Sequence, residues 1–365
     1  MELQDITLCQ NRGVLGIAGA ARPPHKRAIT SIPKVAIACQ GGGSHAAFAA
    51  GVLTRLLGPE LRGRFQVVAL SGTSGGAMCA SLAWRGLVAS GPDEAVQRLL
   101  RFWRDLEVHD LVDAIGNFWA VSLARWPVTL EVSPYLYDPP AEPRLMELLR
   151  AHLDLDQLPR DRERRSRPRL LVGATDVLTG DRVIFPGETL TYDDLIASAA
   201  VPPLFRAVHA DGHLYWDGLF ATNPPVREFT DLEDRPDEIW VVQINPQHRE
   251  GEPRSMREIV DRRNELAGNL SLGQELYFVD RINQLIDRHE GLVARYKRIR
   301  LRIVELEAEG LDYPSKLDRR SSFIEHLVES GRERAEWFFD ARSEWPRART
   351  APARSVLVHH GAAHS

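Results

Sequence analysis

Apolar residues fall along this chain into short, nearly continuous runs, each broken by glycines and followed by helix-like spacing. Lys34 to Cys39 is the first run, then Gly41-Gly42-Gly43, then an apolar helical pattern from Ala46 to Leu57. Phe65 to Leu70 is the second run, ended by Gly72-Thr73-Ser74-Gly75-Gly76 and followed by a small-residue helix from Met78 to Leu87. Unbroken apolar runs are what strands covered on both faces require, whereas half-exposed strands alternate. The repeated order of strand, glycine loop and helix predicts an α/β layered fold with parallel strands. Leu170 to Val172, Val183 to Phe185 and Ile239 to Ile244 read as further strands, with Thr179-Gly180-Asp181 as the turn between the first two. Beyond Arg254 the pattern is helical and amphipathic, with Ile259, Leu266, Leu270, Leu276, Val279, Ile282 and Ile286 falling mostly on one side.

Between these blocks the character changes. From about 95 to 140, Phe102, Trp103, Leu111, Ile115, Phe118, Trp119, Leu123 and Trp126 recur at roughly helical spacing. They read either as helices packed on the sheet or as a cap and mouth that meets acyl chains. Residues 1–32 read as an irregular lead-in, and the tail beyond Pro346 as disordered. Arg160 to Arg169 is a charge-dense link. The expected organisation is a main domain over 33–245 carrying the aromatic insertion, and a helical extension over 246–345.

Composition narrows the class. The 365 residues are 44% hydrophobic and 26% charged, which fits a soluble globular chain. A net charge of −4 supplies no global positive field for nucleic acid. Three cysteines, Cys9, Cys39 and Cys79, form no C-x-x-C pair, and Cys39 and Cys79 read as core packing. No apolar run approaches the roughly 20 residues that span a bilayer. Val14 to Ala21 is short, interrupted by glycine and followed by Pro23-Pro24, so a cytoplasmic location is expected.

The candidate chemistry lies in the glycine loops. In Gly72-Thr73-Ser74-Gly75-Gly76 a serine sits where a strand turns sharply into a helix. Gly72, Gly75 and Gly76 tolerate the turn and keep side chains away from a substrate carbonyl, and the helix N-terminus adds partial positive charge. The loop from Gly41 to Ala46 has two readings. As a dinucleotide fingerprint it needs an acidic residue at the end of the next strand, and Ser71-Gly72-Thr73-Ser74 stands there instead. As an anion hole, its backbone amides at Gly42, Gly43 and Ser44 meet a carbonyl oxygen that becomes negative when attacked. Gly43 and Ser74 are 31 positions apart, about one βαβ unit, which sets both loops at one sheet edge.

The serine needs a base. His209, His213, His248 and His289 are candidates by order alone. The stretch His213 to Pro225 reads better, with a strand ending at Asp217-Gly218 and a rigid loop at Asn223-Pro224-Pro225. With these three elements in order, the chain resembles the patatin-like phospholipase family of lipid acyl hydrolases. The family's G-G-G-x-[RK]-G loop stands here as Gly41 to Ala46, its G-x-S-x-G turn as Gly72 to Gly76, and its D-G-[GA] element as Asp217-Gly218-Leu219. Ala174-Thr175-Asp176 with Thr179-Gly180 and Phe185, and Ala197 to Phe205, also look like the family.

The resemblance implies a three-layer α/β/α fold with a mostly parallel sheet, here followed by extra C-terminal helices. It implies a Ser–Asp dyad without histidine: Ser74 as nucleophile, Asp217 as base supported by Gly218, and the Gly41–Ser44 amides as oxyanion hole. No cofactor and no metal are expected. The substrate class is fatty acyl esters of phospholipids or related lipids, met peripherally at a membrane or lipid surface. A small-ester carboxylesterase or thioesterase would use the same site, and a silent lipid-binding protein would keep the fold without chemistry. His45 and Ala46 depart from the pattern where Arg or Lys and Gly are usual, which removes a permanent charge beside the anion hole. Leu219 replaces a small residue beside Asp217.

Overall fold

Both faces of the strand Lys34–Cys39 (β1) are apolar, and this puts it in the middle of the sheet. Val35, Ile37 and Cys39 point into one hydrophobic cluster, Ala36 and Ala38 into another on the opposite face. The computed structural model describes residues 32–340 except 109–112, 115, 118–120, 123–132, 138, 140, 158–167, 203, 250 and 308–310. The lead-in up to Ser31, the charge-dense link up to Arg167, the tail, Cys9 and the insertion's Leu111, Ile115, Phe118, Trp119, Leu123 and Trp126 lie outside these residues.

The other strands are β2 (Gln66–Thr73), β3 (Arg169–Asp176), β4 (Arg182–Pro186), β5 (Val208–Ala210), β6 (His213–Asp217), β7 (Glu238–Gln243) and β8 (Arg300–Glu305). Their order is β5-β6-β3-β2-β1-β7-β8, with β4 paired to β3 off this path. β3, β2, β1, β7 and β8 run parallel, while β4 and β6 run antiparallel to β3. The sheet is therefore mixed and mostly parallel.

Helices cover both faces. On one side lie α1 (Ala47–Leu56), α2 (Gly75–Ala89), α3 (Pro92–Leu106), α4 (Ala141–Leu153) and the last helix α7 (Ser321–Asp340), around Phe48, Leu53, Leu82 and Trp240. α1 and α7 meet with almost no side chain between them: a Cβ on Gly51 would stand 2.0 Å from the Val328 carbonyl oxygen, and one on Gly331 2.2 Å from that of Phe48. On the other side α6 (Met256–Arg288) closes a smaller cluster through Leu272 and Val279. Between β4 and β5 the short α5 (Tyr192–Ala199) starts on a capping box formed by Thr191 and Asp194, and α6 starts on one formed by Ser255 and Glu258.

Three differences from the sequence reading have physical causes. α3 buries Ala95, Leu99, Phe102 and Trp103 in the core, so these two aromatics pack among α1, α2 and α4, neither directly on the sheet nor at a mouth. Pro92 at its start and the i, i+4, i+7, i+8 spacing suit that role. α6 does not bury one apolar side: Ile259, Leu266 and Leu270 are exposed, while Asp261, Glu265, Asn269, Ser271 and Glu275 are buried. Its inward face is mixed: Leu272 and Val279 enter the smaller cluster, while the polar residues satisfy backbone groups of loops, Glu275 accepting from the amides of Val226 and Arg227 at 3.1 and 2.7 Å. The stretch read as a helical extension also contains β8, whose Arg302 is buried against Glu238 at 3.0 Å.

Candidate active site

Register brings the three loops together. β1 and β2 end side by side, Cys39 opposite Gly72, so the glycine loop and the serine turn leave the same edge of the sheet. Thr73 stands opposite Gly173 on β3, and the next β3 residue, Ala174, stands opposite Asp217 on β6. Ser74 and Asp217 thus occupy one height, two strands apart, which is about 10 Å between backbones. Side chains turned toward each other span most of that gap. Gly173 keeps the space over β3 clear, since a Cβ there would lie 2.7 Å from Thr73 Oγ1 and 2.9 Å from the Thr222 carbonyl oxygen.

Ser74 has φ 55° and ψ −131°, a conformation that L side chains rarely adopt. The strain is held from outside the turn. The Ser74 amide donates to both the carbonyl and the hydroxyl of Ser198, at 3.1 and 3.0 Å, and Ser198 Oγ donates on to the Gly173 carbonyl at 2.7 Å. Ser198, at the end of α5, therefore pins β3 and the serine turn together. Ser198→Ala should cost about 1–3 kcal/mol in chemical unfolding, because it leaves buried backbone groups short of a partner. Gly75 and Gly76 open α2, where Gly76 passes within 2.2 Å (from a built Cβ) of the Cys39 carbonyl oxygen.

The glycine loop lies directly over the serine. A Cβ on Gly41 would stand 2.8 Å from Ser74 Cβ. The Gly41 amide donates to Asn223 Oδ1 at 2.7 Å, so its role is close approach rather than anion binding. Gly43 has φ 58° and opens the 3-10 turn Gly43–Ala46, with no room for a side chain: a Cβ would meet the Lys316 carbonyl oxygen at 2.4 Å.

Asp217 is completely buried at the end of β6. Its Oδ1 accepts from the Leu219 amide at 2.8 Å. Among the described residues Oδ2 meets no donor at full hydrogen-bond geometry, although the Ser74 hydroxyl is close enough to lower the carboxyl's pKa. Burial outweighs the Ser74 hydroxyl, the Leu219 amide and the Lys316 charge, and holds Asp217 at about 7. Gly218 follows, its built Cβ 2.6 Å from the Gly173 carbonyl oxygen. Of the histidines set out by order, His213 pairs with Asp176 at 2.9 Å, and His209, His248 and His289 are exposed.

His45, in the glycine turn, is buried. The Ser315 hydroxyl proton goes to the Asp312 carbonyl at 2.6 Å, so at 2.8 Å His45 donates from Nε2 to Ser315 Oγ. Burial, aided by the Lys316 charge and opposed by Asp312, drives its pKa down to about 3, so the ring is neutral. Cys39 and Cys79 are buried, with thiol pKa values pushed up chiefly by desolvation, that of Cys79 to about 12. Among the described residues no group of three His, Cys, Asp or Glu side chains is arranged to hold a metal ion.

Ser198 and Asn223 lie in stretches that sequence singled out for other reasons, Asn223 as part of a rigid loop. Lys316 had no sequence signal; its place beside the glycine turn is a tertiary contact.

None of the curated proteins matches the chain. Among solved structures it is similar to VipD from Legionella pneumophila, at 13% identity and TM-score 0.37, over 85% of this chain and 67% of VipD. It is also similar to the type III effector protein ExoU, at 15% identity and TM-score 0.36, over 85% of this chain and 53% of ExoU. The chain thus spans about half the length of ExoU. The family model described as patatin-like phospholipase matches residues 37–230. That match covers more than half of the chain and takes in the glycine loop, the serine turn and the end of β6, and the chain belongs to the patatin-like phospholipase family.

Proposed function

We propose that this chain is a serine lipid acyl hydrolase that cleaves fatty acyl esters through Ser74 and Asp217. The observation that carries the reading is the fully buried carboxyl of Asp217 beside the hydroxyl of a serine held at positive φ. Asp217 takes the Ser74 proton as Ser74 attacks the ester carbonyl. The amides of Gly42, Gly43 and Ser44 hold the resulting oxyanion, the alcohol departs with the proton, and water hydrolyses the acyl-enzyme. An ordinary aspartate is a weak base; one that ionises near 7 is closer to what proton transfer at neutral pH needs.

Exposed apolar side chains support work at a lipid surface. Phe220, three residues past Asp217, is 54% exposed, and Leu136 is 80% exposed in the turn Pro134–Leu136. That turn is tied to the loop after α5, where Arg206 Nε donates to the Pro134 carbonyl at 2.9 Å. Among the described residues no helix is long and apolar enough to cross a membrane.

The test is fatty-acid release from mixed phospholipid vesicles by wild type, Ser74→Ala and Asp217→Asn at equal folding. Release that both substitutions abolish is the expected result. Release that survives Asp217→Asn would sink the dyad, and activity confined to short soluble esters would move the substrate class to a carboxylesterase or thioesterase.

A further inference from the structure

The glycine turn carries one ionisable side chain, His45, and it is neutral. Yet a cation stands against the turn from a distant part of the chain. The short turn Pro314–Leu317 docks on Gly43–Ala46 through two contacts: the Lys316 carbonyl oxygen lies against Gly43, and the Ser315 hydroxyl accepts from His45 Nε2. Lys316 is half-buried, and its Nζ donates to Asn245 Oδ1 at 2.7 Å. Asn245 is buried just past the end of β7, with Ile244 against Gly42: a Cβ on Gly42 would meet Ile244 Cγ2 at 2.6 Å. The ammonium borders a small cavity of about 20 Å³ between the glycine turn and α6, lined in part by His45, Asn245, Glu265 and Tyr313. Ser74 and Asp217 do not line it.

We propose that Lys316 is a positioning residue of the hydrolytic site, whose backbone seats the glycine turn and whose ammonium supplies the positive charge the turn itself lacks. This rests on the reading of Ser74 and Asp217 as the reacting pair. The charged and titratable groups that face Lys316 are Glu265 and Asp261 from α6, Asp217 from the end of β6, His45 from the glycine turn, and Tyr313 and Asp312 from its own segment. Desolvation lowers its pKa to about 8 against the pull of Glu265, Asp261 and Asp217. Its charge in turn favours ionised Asp217. Two limbs follow. Activity rises as Asp217 ionises near 7 and declines as Lys316 loses its proton near 8.

The experiment follows the rate at which a fluorophosphonate labels Ser74, and kcat/KM on a soluble p-nitrophenyl ester, from pH 5 to 10. Wild type is compared with Lys316→Met and Lys316→Arg. In Lys316→Met the acid limb is expected to move up by about 0.3–0.5 pH unit, slowing labelling at pH 7 about one-and-a-half- to twofold, and the decline near pH 8 to vanish. Lys316→Arg should restore the wild-type acid limb and lack the decline, because arginine keeps its charge. A structural loss alone would lower rates without moving either limb. Labelled wild type with all three profiles coincident overturns the role of Lys316 and leaves the dyad standing. No labelling of Ser74 in wild type overturns the dyad reading, and the inference with it. If the Met variant fails to fold, the Arg variant decides: persistence of the decline near pH 8 overturns the proposal, its loss supports it.

Discussion

Ser74→Ala is expected to lower fatty-acid release by about 10⁴-fold or more, since without an oxygen at this position no acyl-enzyme forms. Folding should be little affected, because the contacts that hold the turn are made by the Ser74 amide and not by its hydroxyl. Ser74→Gly separates the two properties further. It should be equally inactive yet more stable than wild type by about 1–2 kcal/mol, because glycine adopts φ 55° without the strain a Cβ imposes. Paired unfolding curves and vesicle assays measure both effects. A Ser74→Gly protein less stable than wild type would mean that the turn is not strained.

Asp217→Asn should reduce hydrolysis by about 10³-fold or more while stabilising the fold at neutral and alkaline pH. Asparagine keeps an oxygen for the Leu219 amide and is neutral at every pH. For wild type, the unfolded carboxyl ionises near the model-compound value of 3.8 and the folded one near 7. Between those values the folded state holds the proton more tightly. The contribution of Asp217 is therefore fully present below 3.8, declines as pH rises, and levels off above about 7. At pH 8 wild type carries the whole cost of a buried carboxylate, on the order of 2–4 kcal/mol. Asp217→Asn escapes it, so its midpoint of unfolding should exceed that of wild type at pH 8 and converge with it toward pH 4. Under the proposed mechanism the same ionisation is expected to set the acid limb of wild-type activity, with only about a tenth of the molecules in the base form at pH 6. An acid limb near 4 would show that Asp217 is not desolvated as the fold suggests.

The parts legible in sequence are those where local backbone demands force residue choice. The turn at Ser74 advertises itself because only glycine fits beside it. The β3–β4 connection does so because Asp176 Oδ1 accepts from the amides of Leu178 and Thr179 and Gly180 takes φ 74°. β1 and β7 were readable because sheets covered on both faces leave unbroken apolar runs. β8 was missed for the opposite reason. Arg300-Leu301-Arg302-Ile303 alternates as an edge strand does, and its buried Arg302 reads as polar surface until Glu238 is seen beside it. α6 misled because much of its buried side is polar, its partners there being backbone amides and carbonyls. Lys316 was invisible because no spacing rule links a lysine to a glycine turn 270 residues earlier.

The pairing of β1 has a consequence in time. Its two neighbours, β2 and β7, begin about 30 and 200 residues after it, and the Lys34 amide donates to Asp237 at a separation of 203 residues. At about 5–20 residues per second of synthesis, the central strand waits on the order of 10–40 s with one edge unpaired. Lys316 and α7 emerge later still. The turn at Ser74 is made well before β6 and Lys316, so under the proposed reading the surroundings that would make its serine reactive arrive later in synthesis. A nascent chain that has not yet paired β1 with β7 would thus hold this turn without its later partners.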